Sequence, residues 1–214
     1  MATVQAPLTP ANNPAPAVVN VPAGVPSGAA WVTQYPTSTA VADCASPFGT
    51  NLTAFTAALT AAGATVSVSA TLRPLQRAYL MHWCWSVVNA NADPQTIPTL
   101  AGVNIAWAHT NEQGVYDATA SRAAAQAMVN AYGMQNLNTA PALNSKHISG
   151  SAVDMSITWT GTLTINNQSA TAVEIATLPR TGMNVALHAV GATYNVIKFV
   201  GGDADKPHWS DDGH

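Results

Sequence analysis

The stretch Ala152-Val153-Asp154-Met155-Ser156-Ile157 sets the hardest condition on any fold this chain can adopt. It reads as a strand buried among apolar side chains, with a carboxylate in its middle. A carboxylate taken out of water is costly unless it is paired, hydrogen-bonded or bound to a metal. His147 stands seven positions earlier, a spacing that suits a histidine on a loop, a turn at Gly150 and an aspartate on the following strand. Gly150 lets the backbone pass close by without a side chain. Histidine and aspartate are both good ligands for a divalent transition metal, so a metal site and a simple buried pair both remain open here.

The rest of the chain gives Asp154 its setting. Leu52, Phe55 and Leu59 recur at helical spacing before Gly63, predicting a helix over 51–62. Val66-Ser67-Val68-Ser69 alternates and is β-branched, as in a half-buried strand over 65–71. Pro74 then opens a helix running to about Val88. Residues 92–115, broken by Asp93-Pro94 and Ile97-Pro98, read as a long loop. Asp117 and Gly133 bracket a third helix over 118–132. Strands follow at 152–159 and 162–165, read as a hairpin around Thr160-Gly161, and at 172–175. A helix over 178–192 and a final strand at 196–200 complete the pattern. Helices first and a short antiparallel sheet later predict an α+β domain.

Residues 1–46 read differently. They are rich in Pro, Ala, Val and Thr, almost uncharged and without period, predicting an extended arm or linker ahead of a domain over 47–214. Such an arm would lie on its own domain or on a partner protein.

A second reactive stretch is Asp205-Lys206-Pro207-His208-Trp209. A turn biased by Pro207 can aim Asp205 and His208 into one cleft. There His208 would complete a three-ligand set, and Asp205 would stay off the metal as general base. Read alone, the stretch fits a surface aspartate and a capped histidine equally well. Asp203 competes as base, and His214 reads as tail. His82 and His188 fall in helices, Glu112 and Glu174 read as solvated or paired, and His109 is a candidate for the cleft wall.

The run Ser145-Lys146-His147-Ile148-Ser149-Gly150-Ser151-Ala152-Val153-Asp154 resembles the Ser-x-His-x-x-Gly-x-Ala-x-Asp motif of the zinc D-Ala-D-Ala metallopeptidases. That family takes in vancomycin-resistance D,D-peptidases and phage L-alanyl–D-glutamate endopeptidase endolysins. Asp205-Lys206-Pro207-His208-Trp209 resembles the family's acid-x-x-His-Trp motif, although many members carry Glu where Asp205 stands. Ala70-Thr71-Leu72-Arg73-Pro74-Leu75-Gln76-Arg77 matches a third segment, and Arg77 reads as structural. The resemblance spans about residues 47–214. It implies a hedgehog/D-Ala-D-Ala peptidase-like fold with a small central antiparallel sheet. It implies Zn²⁺ on His147, Asp154 and His208, with Asp205 as base and Arg73 holding the oxyanion. Ser145 would contact substrate and Trp209 would wall the site. The implied activity is hydrolysis of a peptidoglycan stem-peptide bond, favouring the L-Ala–D-Glu endopeptidase. The alternatives are a D,D-carboxypeptidase and a non-catalytic, metal-stabilised binding or structural module.

Composition trims the list of partners. Charged residues make up 8% and the formal net charge is -3, which gives nucleic acid or an anionic membrane nothing to bind by charge. No apolar run is long enough to span a bilayer. The first ten residues do not read as a secretory signal, so an enzyme acting on the cell wall, in the periplasm or outside the cell, would be delivered by phage lysis or injection, or by a signal already removed. Cys44 and Cys84 leave open one bridge or two free thiols.

Overall fold

The computed structural model describes residues 24–214. In chain order the elements are β1 (Val25–Pro26), α1 (Phe48–Ala61), β2 (Thr65–Ala70), α2 (Leu75–Asn89), β3 (Ile105–Ala106), β4 (His109–Thr110), β5 (Tyr116–Asp117) and α3 (Ala118–Ala131). They continue as β6 (Ala152–Thr158), β7 (Leu163–Asn166), β8 (Ala172–Ile175), α4 (Val185–Thr193), β9 (Ile197–Lys198) and β10 (His208–Ser210). The expected α+β class is seen, with antiparallel sheets beside four helices among the described residues.

Local chemistry explains both ends of α3 and the start of α4. The Asp117 carboxylate accepts from the Ala120 N–H at 2.9 Å, and Gly133 closes α3 at φ 70°. Asn184 caps α4 by accepting from Ala186 and Leu187. The helix expected over 178–192 therefore starts at Val185. Pro179 lacks an N–H and disfavours helix at Leu178, and residues 180–182 instead line up beside β6, where Gly182 donates to Ile157.

The central sheet has the order β2-β6-β10-β9, with every pair antiparallel. The turn after β6 does not make a hairpin of β6 and β7; β7 pairs with β8 in its own ribbon. The final strand is shortened to Ile197–Lys198, and a further strand, β10, follows it into the middle of the sheet.

Two apolar clusters hold these layers. The first packs Phe48, Leu52, Phe55 and Leu59 of α1 and Leu187 and Val190 of α4 against Val153, Met155, Ile157 and Trp209 of the sheet. The second packs α2 and α3 through Tyr79, Leu80, Cys84, Val87, Ala125, Met128 and Val129. Both cysteines are free. Cys84 is fully buried, which pushes its thiol up to about 12.

Residues 24–46 belong to the domain, so the boundary expected at residue 47 is corrected. Val25 and Pro26 pair with Ile105 and Ala106. Trp31 is 4% exposed and sits in the second cluster. Ser38 exchanges backbone hydrogen bonds with Leu72 and Thr71, and Ala45 donates to the Gly150 carbonyl. The part of the expected arm at residues 1–23 lies outside the described residues. No helix among the described residues is long and apolar enough to cross a membrane.

Replacing Trp31 with alanine is expected to cost about 3–5 kcal/mol, the usual range for emptying a buried aromatic site. Urea unfolding followed by circular dichroism checks this; a cost below about 1 kcal/mol would return the segment to the status of a linker.

Candidate metal centre

Asp154 lies on β6 directly opposite His208 on β10. Flanking backbone bonds run from Met155 N–H to Pro207 and from Asp211 N–H to Ser151. Because bonded pairs alternate along an antiparallel ladder, Asp154 and His208 form a non-hydrogen-bonded pair, the kind that brings opposed side chains closest. Both point away from the first apolar cluster. Their neighbours Val153, Met155 and Trp209 point into it.

His147 reaches the same point from the turn before β6. Its Nε2 lies 3.2 Å from Asp154 Oδ1 and 3.3 Å from His208 Nδ1, and His208 Nδ1 lies 3.2 Å from the same Oδ1. The two imidazoles are buried and Asp154 is half-buried. The three residues anticipated as ligands therefore converge.

The far nitrogens fix what this triangle contains. His147 Nδ1 is 2.7 Å from the Thr71 carbonyl, and His208 Nε2 is 3.2 Å from the His214 carbonyl. A carbonyl only accepts, so both far nitrogens carry the proton. The near nitrogens are then bare lone pairs facing a carboxylate oxygen. Three acceptors within 3.3 Å of one another need a cation or an extra proton between them. A divalent metal ion would meet that need, and the two carbonyls stand where the outer partners of metal-binding histidines stand. Without a metal, a proton serves: burial lowers the His208 pKa, but the hydrogen bonds to Asp154 and to the His214 carbonyl, with the charges of Asp154 and Asp205, together outweigh it and the net shift is upward. Burial likewise raises the Asp154 pKa, and the two imidazoles overturn that and hold it well below the usual carboxylate range.

The scaffold around the triangle is continuous. Arg73 N–H donates to the His147 carbonyl at 3.0 Å, so the loop after β2 grips His147 by both its ring and its backbone. Thr71 is itself braced by Ser38 and Ala40. Gly150 sits at φ 72°, where a Cβ would come within 2.8 Å of the Ala45 backbone nitrogen. On the other flank Lys146 pairs with Asp211 and Asp212 at 2.8 and 2.7 Å, tying the His147 turn to the tail that carries His214.

The other anticipated residues divide. Arg73 is partly buried, its Nε has no partner, and its side chain makes no ion pair among the described residues. Burial pushes its pKa down, opposed by the fields of Asp154 and Asp205. Asp205 ends a short 3-10 turn, Gly202–Asp205, and is exposed. Its charge acts on both Arg73 and His208, so it borders the triangle without belonging to it. Ser145 Oγ is buried without a partner, beside a cleft lined by Asn144, Lys146, Ser149 and His214.

Trp209 is 0% exposed and packs against Phe55 and His188, so it cannot wall a substrate site. Alternation along β10 sends it to the core face, opposite His208. His109 is taken up by Ser27 at 2.9 Å and is not in the metal-binding group. His82 and His188 hydrogen-bond the Pro141 and Gly182 carbonyls. His214, read from sequence as mere tail, supplies the carbonyl that orients His208; no side-chain motif could have flagged a main-chain acceptor.

No family model, curated protein or solved structure matches the chain.

Metal binding must expel the proton that His208 holds when its pKa is raised. Metal affinity is therefore full above the raised His208 pKa and weakens as pH falls through it, by about tenfold per pH unit. Chelator competition with Zn²⁺ as probe between pH 5 and 8 measures the slope. Removing residues 211–214 is expected to weaken binding on the order of ten- to hundredfold, the usual effect of losing an outer partner, in the same assay.

Proposed function

We propose that the chain is a zinc-dependent peptidase of the D-Ala-D-Ala metallopeptidase type, with a hedgehog/D-Ala-D-Ala peptidase-like domain, and that it hydrolyses a stem-peptide bond of peptidoglycan. The carrying observation is the triangle of bare donors with a spare guanidinium and a carboxylate at its border.

The chemistry of the donor set supports zinc: two imidazoles and one carboxylate are a combination that suits this ion. Three protein ligands leave a fourth position, the hallmark of catalytic rather than structural zinc. Bound there, Zn²⁺ would acidify a water and polarise an amide carbonyl.

The chain's own groups do the rest. Asp205, exposed and off the ligand set, takes the proton of the attacking water and passes it to the leaving amine. Arg73 carries a positive charge that no described carboxylate claims, and it meets the oxyanion as that charge grows. The Ser145 hydroxyl is unpartnered but buried, so it reaches substrate only by turning outward. A purely structural ion would need neither Asp205 nor Arg73, which favours the enzyme over a metal-stabilised binding module. The endopeptidase that cuts L-Ala–D-Glu is the favoured activity, and its place of action is the cell wall.

Digestion of purified peptidoglycan with mass spectrometry of the new termini tests the reading. A new N-terminal D-Glu is expected; release of free D-Ala would make it a D,D-carboxypeptidase; no cleavage by zinc-loaded protein would defeat it. Asp205→Asn is expected to lower kcat by about 10²–10⁴ while leaving zinc bound.

A further inference from the structure

Lys198 is an ammonium with an unusual place. It lies on β9, is 6% exposed, and stands opposite Trp209 in the sheet register. Among the described residues it makes no ion pair with any carboxylate. Its Nζ donates instead to two backbone carbonyls, Asp205 at 3.1 Å and His208 at 2.9 Å. Its charge lies 5.6 Å from the centroid of the Trp209 ring. A buried lysine kept for packing alone would be expensive, since methionine or leucine fills the same space without desolvating a charge.

The two carbonyls bracket the segment Asp205-Lys206-Pro207-His208. His208 is held independently by its place on β10 and by the Phe199 N–H on its carbonyl. Asp205 has no such support. It ends an exposed 3-10 turn, and Lys198 Nζ is the one donor on its carbonyl among the described residues. Pro207 has no N–H to give; its carbonyl takes the Met155 N–H, which ties the His208 end of the segment to β6 and leaves the Asp205 end to Lys198. A single buried cation thus joins the freely exposed Asp205 to a metal-ligand strand.

We propose that Lys198 is the positioning residue for Asp205: by gripping the carbonyls on both sides of the turn, it sets where the Asp205 carboxylate stands relative to the three-residue metal group. It touches neither the ion nor substrate. The proposal rests on the reading of Asp205 as the catalytic base.

Two measurements on the full chain test it. The first, hydrogen exchange by mass spectrometry, does not depend on activity. In Lys198→Met, exchange over residues 201–207 is expected to rise about tenfold or more, while exchange over β6 and the zinc content stay as in the unaltered protein. Unchanged exchange over 201–207 would overturn the proposal. The second is a double-mutant cycle on peptidoglycan-peptide hydrolysis. Lys198→Met is expected to lower kcat about tenfold or more with KM within about twofold, and to add almost nothing on top of Asp205→Asn, because both remove the same contribution. Fully additive losses would overturn it, since a merely structural lysine weakens the enzyme whether or not Asp205 is present. Lys198→Arg, which keeps charge and donors, is expected to regain part of the activity, and Lys198→Gln, which loses the charge and is too short to reach both carbonyls, carries both measurements should the methionine variant fail to fold. If the unaltered protein cleaves nothing, the peptidase reading fails by itself, and the exchange measurement still decides whether Lys198 fixes the Asp205 segment.

Discussion

Three lone-pair donors held within 3.3 Å of one another are the arrangement on which the rest of this structure turns. Left with no positive charge between them they would repel, and a fold does not gather them without a compensating cation. The sheet provides the rigid part: Asp154 and His208 are fixed by strand register, which leaves little freedom beyond side-chain rotamers. His147 comes from a turn, and turns are the more mobile elements. That is where the added restraints are found. Arg73 and Thr71 hold it from the loop after β2, Gly150 seats it against Ala45, and Lys146 fastens it to the tail. The number of restraints on each ligand runs inversely to the rigidity of the element that carries it.

The same sheet separates stability from chemistry. One face is apolar and covered by α1 and α4, and the strand residues facing it are almost wholly buried. The other face carries Asp154 and His208, with Ser67, Ser156 and Thr158 exposed nearby. Strand alternation allows both on one sheet. Stability comes from one side, so the other can hold groups that cost free energy until a ligand arrives.

Much of this was legible in the sequence, for reasons that differ by residue. Leu52, Phe55 and Leu59 announced α1 because burial of one helix face imposes a period. Asp154 announced itself because an isolated carboxylate in an apolar strand demands a partner. What escaped were interactions made by the backbone. Residues 24–46 dock by backbone bonds to residues 71, 72, 104 and 106 and by one Trp anchor, and neither leaves a periodic signature. β10 is three residues long and follows a proline, too short to show alternation, so His208 read as part of a turn and Trp209 as a neighbour on the same side. The strand register reverses that. The carbonyls of Thr71 and His214 that set both imidazole tautomers belong to residues whose side chains take no part. The β6–β7 pairing failed because a glycine turn shows where a chain bends and says nothing of which strand it returns to.

The distribution of charge draws these points together. The chain has only seven lysines and arginines, and three of them, Arg73, Lys146 and Lys198, meet the ligand-bearing segments directly. Lys146 works at the surface, where an ion pair is worth little in stability; its effect is to restrict where the His147 turn and the tail can go. Lys198 works in the interior, where its charge is costly and its hydrogen bonds to carbonyls are correspondingly strong. Arg73 gives its backbone to His147 and keeps its guanidinium unclaimed by any described carboxylate. A protein that needed these cations only for solubility would spread them over its surface. Their concentration around one triad follows if geometry at that triad is what the chain is built to keep, and it leaves the remaining surface to neutral Thr, Ser, Asn and Gln, which interact with solvent without adding charge near it.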